Sequence, residues 1–264
     1  MSHSIASPGI MGRGGASRSI VSPSRTLATT ARVLAQIRHD PRTIALLLVV
    51  PSLLIGLVAW LFDTTPVFQQ IGPAMLALFP FIIMFLVTSI ATLRERRSGT
   101  LERLLSLPLS KLDFILGYTL AFGLLAVAQA SIATAFAVGV CGLEIVGSIW
   151  LLLAVAVADA VLGTTLGLLA SAFARTEFQV VQFMPAIVFP QVLLGGVFIA
   201  RDQMPDVLYA ISNWLPLSHA VDALTAVATG SEDDGYVARQ LLILAAFAIG
   251  AVVLGAITLR RRTP

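Results

Sequence analysis

Asp159 is the one acid in the middle of a long apolar run, and a charge at mid-bilayer costs roughly 2.5–3.5 kcal/mol to insert. Its carboxyl must therefore face protein or water, or carry its proton. Three uses follow: a proton relay, a contact in a substrate path, or a polar bond between helices. Gln129, Gln179, Gln182 and Gln191 are weaker forms of the same signal. His219 and Asp222 stand three residues apart, the helical spacing of a ligand or catalytic pair, and such a pair could act on lipid. His3 and His39 are too distant in sequence to complete a metal site with His219. No Gly-x-x-x-x-Gly-Lys-Ser/Thr phosphate loop occurs, and the cluster Gly12, Gly14, Gly15 lacks the lysine. No Gly-x-Ser-x-Gly elbow occurs either, so no catalytic residue is expected and nucleotide hydrolysis falls to another chain.

The other chemistry-bearing feature is charge. Residues 94–108 form the densest charged stretch in a chain that is only 12% charged. Beyond Gly99 and Thr100, the side chains Leu101, Leu104 and Leu105 share a helical face, while Glu102 and Arg103 point elsewhere. That pattern predicts a short amphipathic helix along the inner membrane surface. A loop that only anchored to anionic lipid would explain Arg94, Arg96, Arg97 and Arg103, but not Glu95 and Glu102. Mixed signs suit a protein partner.

The elements that position these groups are membrane spans. The chain is 57% hydrophobic, with mean hydropathy +0.92, and its apolar residues arrive in blocks long enough to cross a hydrocarbon layer about 30 Å thick. An all-α integral membrane protein with six transmembrane helices is expected, at residues 43–62, 71–93, 114–140, 147–170, 178–200 and 237–259. Arginine and lysine cluster before the first span, after the second and after the last, so both termini are expected on the cytoplasmic side. Trp60, Trp150 and Trp214 all fall at the opposite, acidic boundary, where their rings suit headgroups. The basic residues adjoin apolar spans and match anionic lipid or an acidic cytosolic partner, so nucleic acid is not expected. Cys141 is the single cysteine and forms no internal disulfide. No cleavable signal peptide is evident, and a bacterial plasma membrane is the expected location.

The chain divides further. Residues 1–23, rich in Ser, Gly and Pro, read as a disordered cytosolic tail. Residues 24–42 read as an amphipathic interfacial helix with Leu27, Ala31, Leu34 and Ile37 on one face. Residues 43–264 carry the six spans. Gly163, Gly167 and Ser171 form a strip of small residues that lets another helix approach, within the chain or in a second subunit. Pro185, Pro190, Gly195 and Gly196 predict a kinked or broken fifth span that is mobile or lines a cavity. Residues 201–229 are too interrupted to cross, and predict two short re-entrant helices in the outer leaflet.

The stretch Glu95-Arg96-Arg97-Ser98-Gly99-Thr100-Leu101-Glu102-Arg103-Leu104-Leu105-Ser106-Leu107-Pro108 closely resembles the cytosolic signature of ABC type 2 exporter permeases, in particular the daunorubicin-resistance type. The resemblance extends to Asp40-Pro41-Arg42, to Leu194-Gly195-Gly196-Val197-Phe198 and to Leu215-Pro216-Leu217-Ser218-His219-Ala220-Val221-Asp222-Ala223-Leu224. It implies a permease paired with a separate ABC ATPase, which would bind ATP and Mg, and with a second permease copy or paralogue. It further implies that Gly99, Thr100, Leu101, Leu104 and Leu105 form a coupling helix. Glu95, Arg97, Glu102 and Arg103 would make its charge contacts, with residues 173–177 as a smaller second contact. The first, second and fifth spans would then open a route for a hydrophobic drug or lipid cargo past Asp159, Gln182, Pro185 and Pro190. A proton-coupled multidrug transporter using Asp159, and a lipid-acting enzyme using His219 and Asp222, are the alternatives.

Overall fold

The computed structural model describes residues 22–62, 66–97 and 111–258. Nine α-helices occupy the described residues: α1 (Pro23–Arg38), α2 (Pro41–Leu61), α3 (Pro66–Arg97), α4 (Lys111–Gly139), α5 (Ile149–Phe173), α6 (Glu177–Leu194), α7 (Asp206–Ser212), α8 (Pro216–Thr229) and α9 (Asp234–Thr258). A 3-10 turn, Arg201–Gln203, precedes α7. Six of the helices, α2 to α6 and α9, are long and apolar enough to cross a membrane, so the chain is a multi-pass all-helical membrane protein. Their limits fall within a few residues of the apolar blocks, except that the fifth stops at Leu194 rather than near 200. Gly196 explains the stop: its φ of +83° turns the chain in a conformation that side chains with a Cβ rarely adopt. Pro185 and Pro190 lie inside α6, and neither ends it.

α3 is the central helix, and α5 lies closest to it. The small-residue strip makes that approach possible. A Cβ on Gly163 would stand 2.5 Å from the Phe81 carbonyl oxygen, and one on Gly167 2.5 Å from that of Phe85. Ser89 on α3 closes the seam by donating its hydroxyl to the Gly167 carbonyl at 3.0 Å. The strip therefore serves packing within the chain.

α1 packs on α4 through threonines. Thr26, Thr29, Thr30, Val33 and Ile37 are its buried face, whereas Leu27 is 61% exposed and Ala31 is exposed. Of the apolar stripe read from the sequence, Ile37 and Leu34 thus meet the bundle, while Leu27 and Ala31 do not. Gly117 permits the approach, because a Cβ there would lie 2.6 Å from that of Thr29. Threonine wins over leucine at this seam because short hydroxyl side chains allow close backbones and bond carbonyls: Thr30 Oγ1 donates to Gly117 O at 3.1 Å. His39 and Asp40 then separate α1 from α2, dividing the segment 24–42 between two helices.

Residues 201–229 form the two expected short helices, but they differ in depth. α7 is largely exposed, while α8 buries Leu217, Ala220, Val221, Leu224 and Val227 against α3, α5 and α9. The α4–α5 connection covers the end of α8, with Val146 N–H donating to Ala228 O at 2.9 Å and Gly147 N–H to Val227 O at 3.0 Å.

Candidate functional site

The basic end of α3 is a hub of ion pairs. Glu95 is only 6% exposed and accepts from Arg32 Nη1 of α1 at 2.6 Å. Arg32 Nη2 also donates to Tyr118 Oη of α4 at 3.3 Å. Glu95 is therefore turned into the protein, and does not present the outward charge contact expected of it. A carboxylate at that depth requires a charged donor, and α1 supplies one. Arg94 makes a bidentate pair with Glu177 at the start of α6, Nε to Oε1 at 2.8 Å and Nη2 to Oε2 at 3.0 Å. Arg96 Nη1 donates to the Ser171 carbonyl of α5. Arg97 is exposed. Gly99, Thr100, Leu101, Glu102, Arg103, Leu104 and Leu105 lie outside the described residues.

The last turn of α3 thus grips α1, α5 and α6 at once. Glu177 belongs to the segment expected as the smaller second contact, and its pair with Arg94 joins that contact to the larger one. Sequence reasoning assigned Arg32 no role. Its only local signal was an arginine on an otherwise Thr- and Ala-rich face, and its partner lies 63 residues away.

Two acids hold α1 and α2 in place. Asp113 of α4 is fully buried and accepts from Ser22 N–H at 2.7 Å and Thr26 Oγ1 at 3.3 Å, so it caps α1 from another helix. Asp40 caps α2, accepting from the Thr43 hydroxyl at 2.6 Å and from the Thr43 and Arg42 N–H groups. The bonds from Thr43 hold its carboxyl below the ordinary range.

The residues expected along a substrate path do not share one lining. Asp159 is 0% exposed and enclosed in the bundle, with neither oxygen hydrogen-bonded among the described residues. Gln182 and Pro190 are exposed on the surface of α6, and Pro185 is half-buried there. A separate apolar groove of about 560 Å³ lies between α2 and α4, lined by Ser52, Gly56, Trp60, Ile132 and Phe136 among others.

At the opposite end, His219 and Asp222 serve different partners. Arg201, 7% exposed, pairs with Asp222, donates from Nε to Ser212 Oγ at 2.9 Å and also bonds Asn213. Its guanidinium lies 5.3 Å from the Tyr209 ring centroid. His219 places Nδ1 2.7 Å from Gln240 Oε1 and Nε2 3.0 Å from the Asn213 carbonyl. With both ring nitrogens and the carboxylate so engaged, the pair is a fastening between α7, α8 and α9.

A six-span helical bundle, a charged hub at one end and a fastened pair of short helices at the other define a multi-pass membrane protein. Residues 25–228 match the family model described as ABC-2 type transporter, and the chain belongs to that family. The chain is 24% identical over 191 residues to the probable multidrug ABC transporter permease YbhS of Escherichia coli, covering 72% of the chain and 51% of that protein. It is 26% identical over 147 residues to the inner membrane transport permease YhhJ of the same organism, covering 55% and 39%. It is 27% identical over 154 residues to ABC transporter G family member 20 of Dictyostelium discoideum, covering 58% and 21%. The chain thus spans about half or less of the length of these relatives.

Proposed function

We propose that this chain is the permease subunit of an ATP-driven exporter that moves a hydrophobic or amphipathic drug or lipid out of a bacterial cell. A separate ABC ATPase binds ATP and Mg, and a second copy of the permease or a paralogue completes the pathway. Both termini and the 98–110 segment face the cytoplasm. Gly99 to Leu105 form the coupling helix, with Glu102 and Arg103 as its charge contacts and Arg97 beside them. Asp159, with Gln182, Pro185 and Pro190 of α6, belongs to the cargo route.

The observation that carries this reading is the hub at the end of α3. Driving a transporter between two states from 1:99 to 99:1 takes about 5.5 kcal/mol of differential interaction. A segment that collects that energy must be held to the spans by contacts that do not slip. Arg32–Glu95 and Arg94–Glu177 attach the residues just before the segment to α1 and α6, and a push on it is delivered to several helices together. The test is purification of the tagged permease from its native membrane, with and without Glu102→Lys. An ATPase is expected with the unaltered chain and should be lost with the variant, while insertion and expression stay unchanged. Persistent copurification and export by the variant would remove the coupling role.

One observation favours a second reading, proton-coupled transport: Asp159 is the acid enclosed at mid-span. That reading predicts cargo movement without any ATPase, which the same purification tests.

A further inference from the structure

His219 of α8 lies between two oxygens, which a neutral ring with its single N–H cannot satisfy together. Nδ1 stands 2.7 Å from Gln240 Oε1 of α9, and Nε2 stands 3.0 Å from the Asn213 carbonyl at the end of α7. A carbonyl oxygen only accepts, so Nε2 must carry a proton. Whether Nδ1 carries one too is decided by Gln240, whose amide offers an oxygen on one side and a nitrogen on the other.

Tyr236, one turn before Gln240 on α9, sets that choice. Its hydroxyl bonds both the Asp222 carboxylate and the Gln240 side chain. A carboxylate only accepts, so the tyrosine O–H is donated there and its oxygen takes an N–H from Gln240. That arrangement leaves Gln240 Oε1 facing Nδ1, and His219 is then an imidazolium with both nitrogens donating. Asp222, one turn along α8, attracts a charged ring, while Arg201, paired with Asp222, opposes it. α7 brings Tyr209 to this end, and α9 brings Tyr236 with Arg239 5.5 Å from its ring and Glu232 just before it. α3 and α6 carry their charged residues at the basic end, and α5 carries only Asp159, enclosed at mid-span.

We propose that His219, Gln240 and Tyr236 form a proton-operated switch within the fastening of α7, α8 and α9. With the imidazolium, the line of donors runs from His219 to Gln240 to Tyr236 and ends on Asp222, so α8 and α9 are joined twice. Loss of the proton breaks the Nδ1–H bond and leaves its electron pair on Nδ1, and the proton passes to water at a ring that is 7% exposed. The amide then turns over: Gln240 Nε2 donates to Nδ1, Tyr236 donates to Gln240 Oε1, and Asp222 keeps Arg201. The fastening is therefore tight while His219 is charged and loosens as rising pH discharges it. It asks nothing of an ATPase or a cargo, and so stands apart from the exporter reading.

The test is nitrogen NMR of the whole chain in nanodiscs, labelled at its imidazole nitrogens and purified with a histidine-free tag. His3→Gln and His39→Gln leave His219 as the one labelled ring, and His39 lies exposed beyond the end of α1. Spectra are taken at about pH 5.5 and 8.5, either side of the range in which an ordinary imidazole changes charge. At the lower pH both ring nitrogens are expected to be protonated; at the higher, Nε2 alone, with Nδ1 accepting a hydrogen bond. A ring neutral at both values, charged at both, or protonated on Nδ1 alone at the higher one overturns the switch. Amide exchange over residues 213–222, corrected for the intrinsic effect of pH, should be about fivefold faster at the higher pH, the weight of one ordinary hydrogen bond. Neither measurement needs a substitution within the fastening. Tyr236→Phe removes the relayed donor while leaving His219 to titrate, and should hold that ratio within about twofold. An unchanged exchange rate in the unaltered chain, or a fivefold ratio that persists in Tyr236→Phe, would show that the proton on His219 is not relayed to Asp222 and would overturn the proposal.

Discussion

Arg32 bonds two helices with one guanidinium, Glu95 of α3 and Tyr118 of α4, so its loss is felt at both. Arg32→Ala would remove this ion pair from a carboxylate that is only 6% exposed. Removing one partner of a fully buried pair costs about 3–5 kcal/mol, and solvent at the arginine lowers that to about 1–3 kcal/mol here. The expected outcome is a lower melting temperature in detergent, with export falling further than folded protein because the hub has lost its grip on α1. Exchanging the charges, Arg32→Glu with Glu95→Arg, should restore part of both. Export that tracks the amount of folded protein alone would mean that the pair serves stability only. Neither member was legible as a partner of the other in the sequence. Glu95 read as a surface contact because it stands among arginines, and sequence distance hides which side of a helix end turns inward.

At the scale of the element, the six spans were legible because length and apolarity alone determine them, and no knowledge of neighbours is needed. The strip Gly163, Gly167 and Ser171 was also visible, but its partner was not: only the fold shows that it receives α3. Gly163→Leu forces the α3 backbone away and should abolish accumulation of folded permease, and Gly163→Ala should cost about 1–3 kcal/mol through overpacking. Gly123 on α4 is the control, since a Cβ there meets nothing within 4 Å. Gly123→Ala should be neutral, or stabilising by up to about 1 kcal/mol. Thermal unfolding followed by tryptophan fluorescence reads all three, and equal effects at the two positions would contradict the seam. The face of α1 that meets the bundle was read only in part, Leu34 and Ile37 but not the threonines, for a related reason. Hydrophobic periodicity finds the side that avoids water, and in a membrane that side can be the one facing lipid.

Across the whole molecule, the two ends are built on different principles. The basic end is a set of pairwise attachments radiating from α3, whereas the acidic end gathers α7, α8 and α9 around Arg201 and His219. Arg201→Ala would take the arginine from Asp222, leaving it Tyr236, and release Ser212 and Asn213 together. Hydrogen exchange at residues 201–215 is expected to rise at least tenfold while exchange in α3 and α5 stays unchanged; uniform loosening of the bundle would show that the fastening is not local. One contact at the basic end also bears on how the chain is made. The cap on α1 comes from Asp113, which bonds Ser22 across 91 residues of sequence. At about 5–20 residues per second of synthesis, the cap reaches the ribosome exit some 5–20 seconds after the helix it completes. Until then α1 lacks the carboxylate that seats its first turn. The first turn of α1 is thus seated only once α4 has emerged, and a chaperone or the membrane surface has that interval in which to hold it.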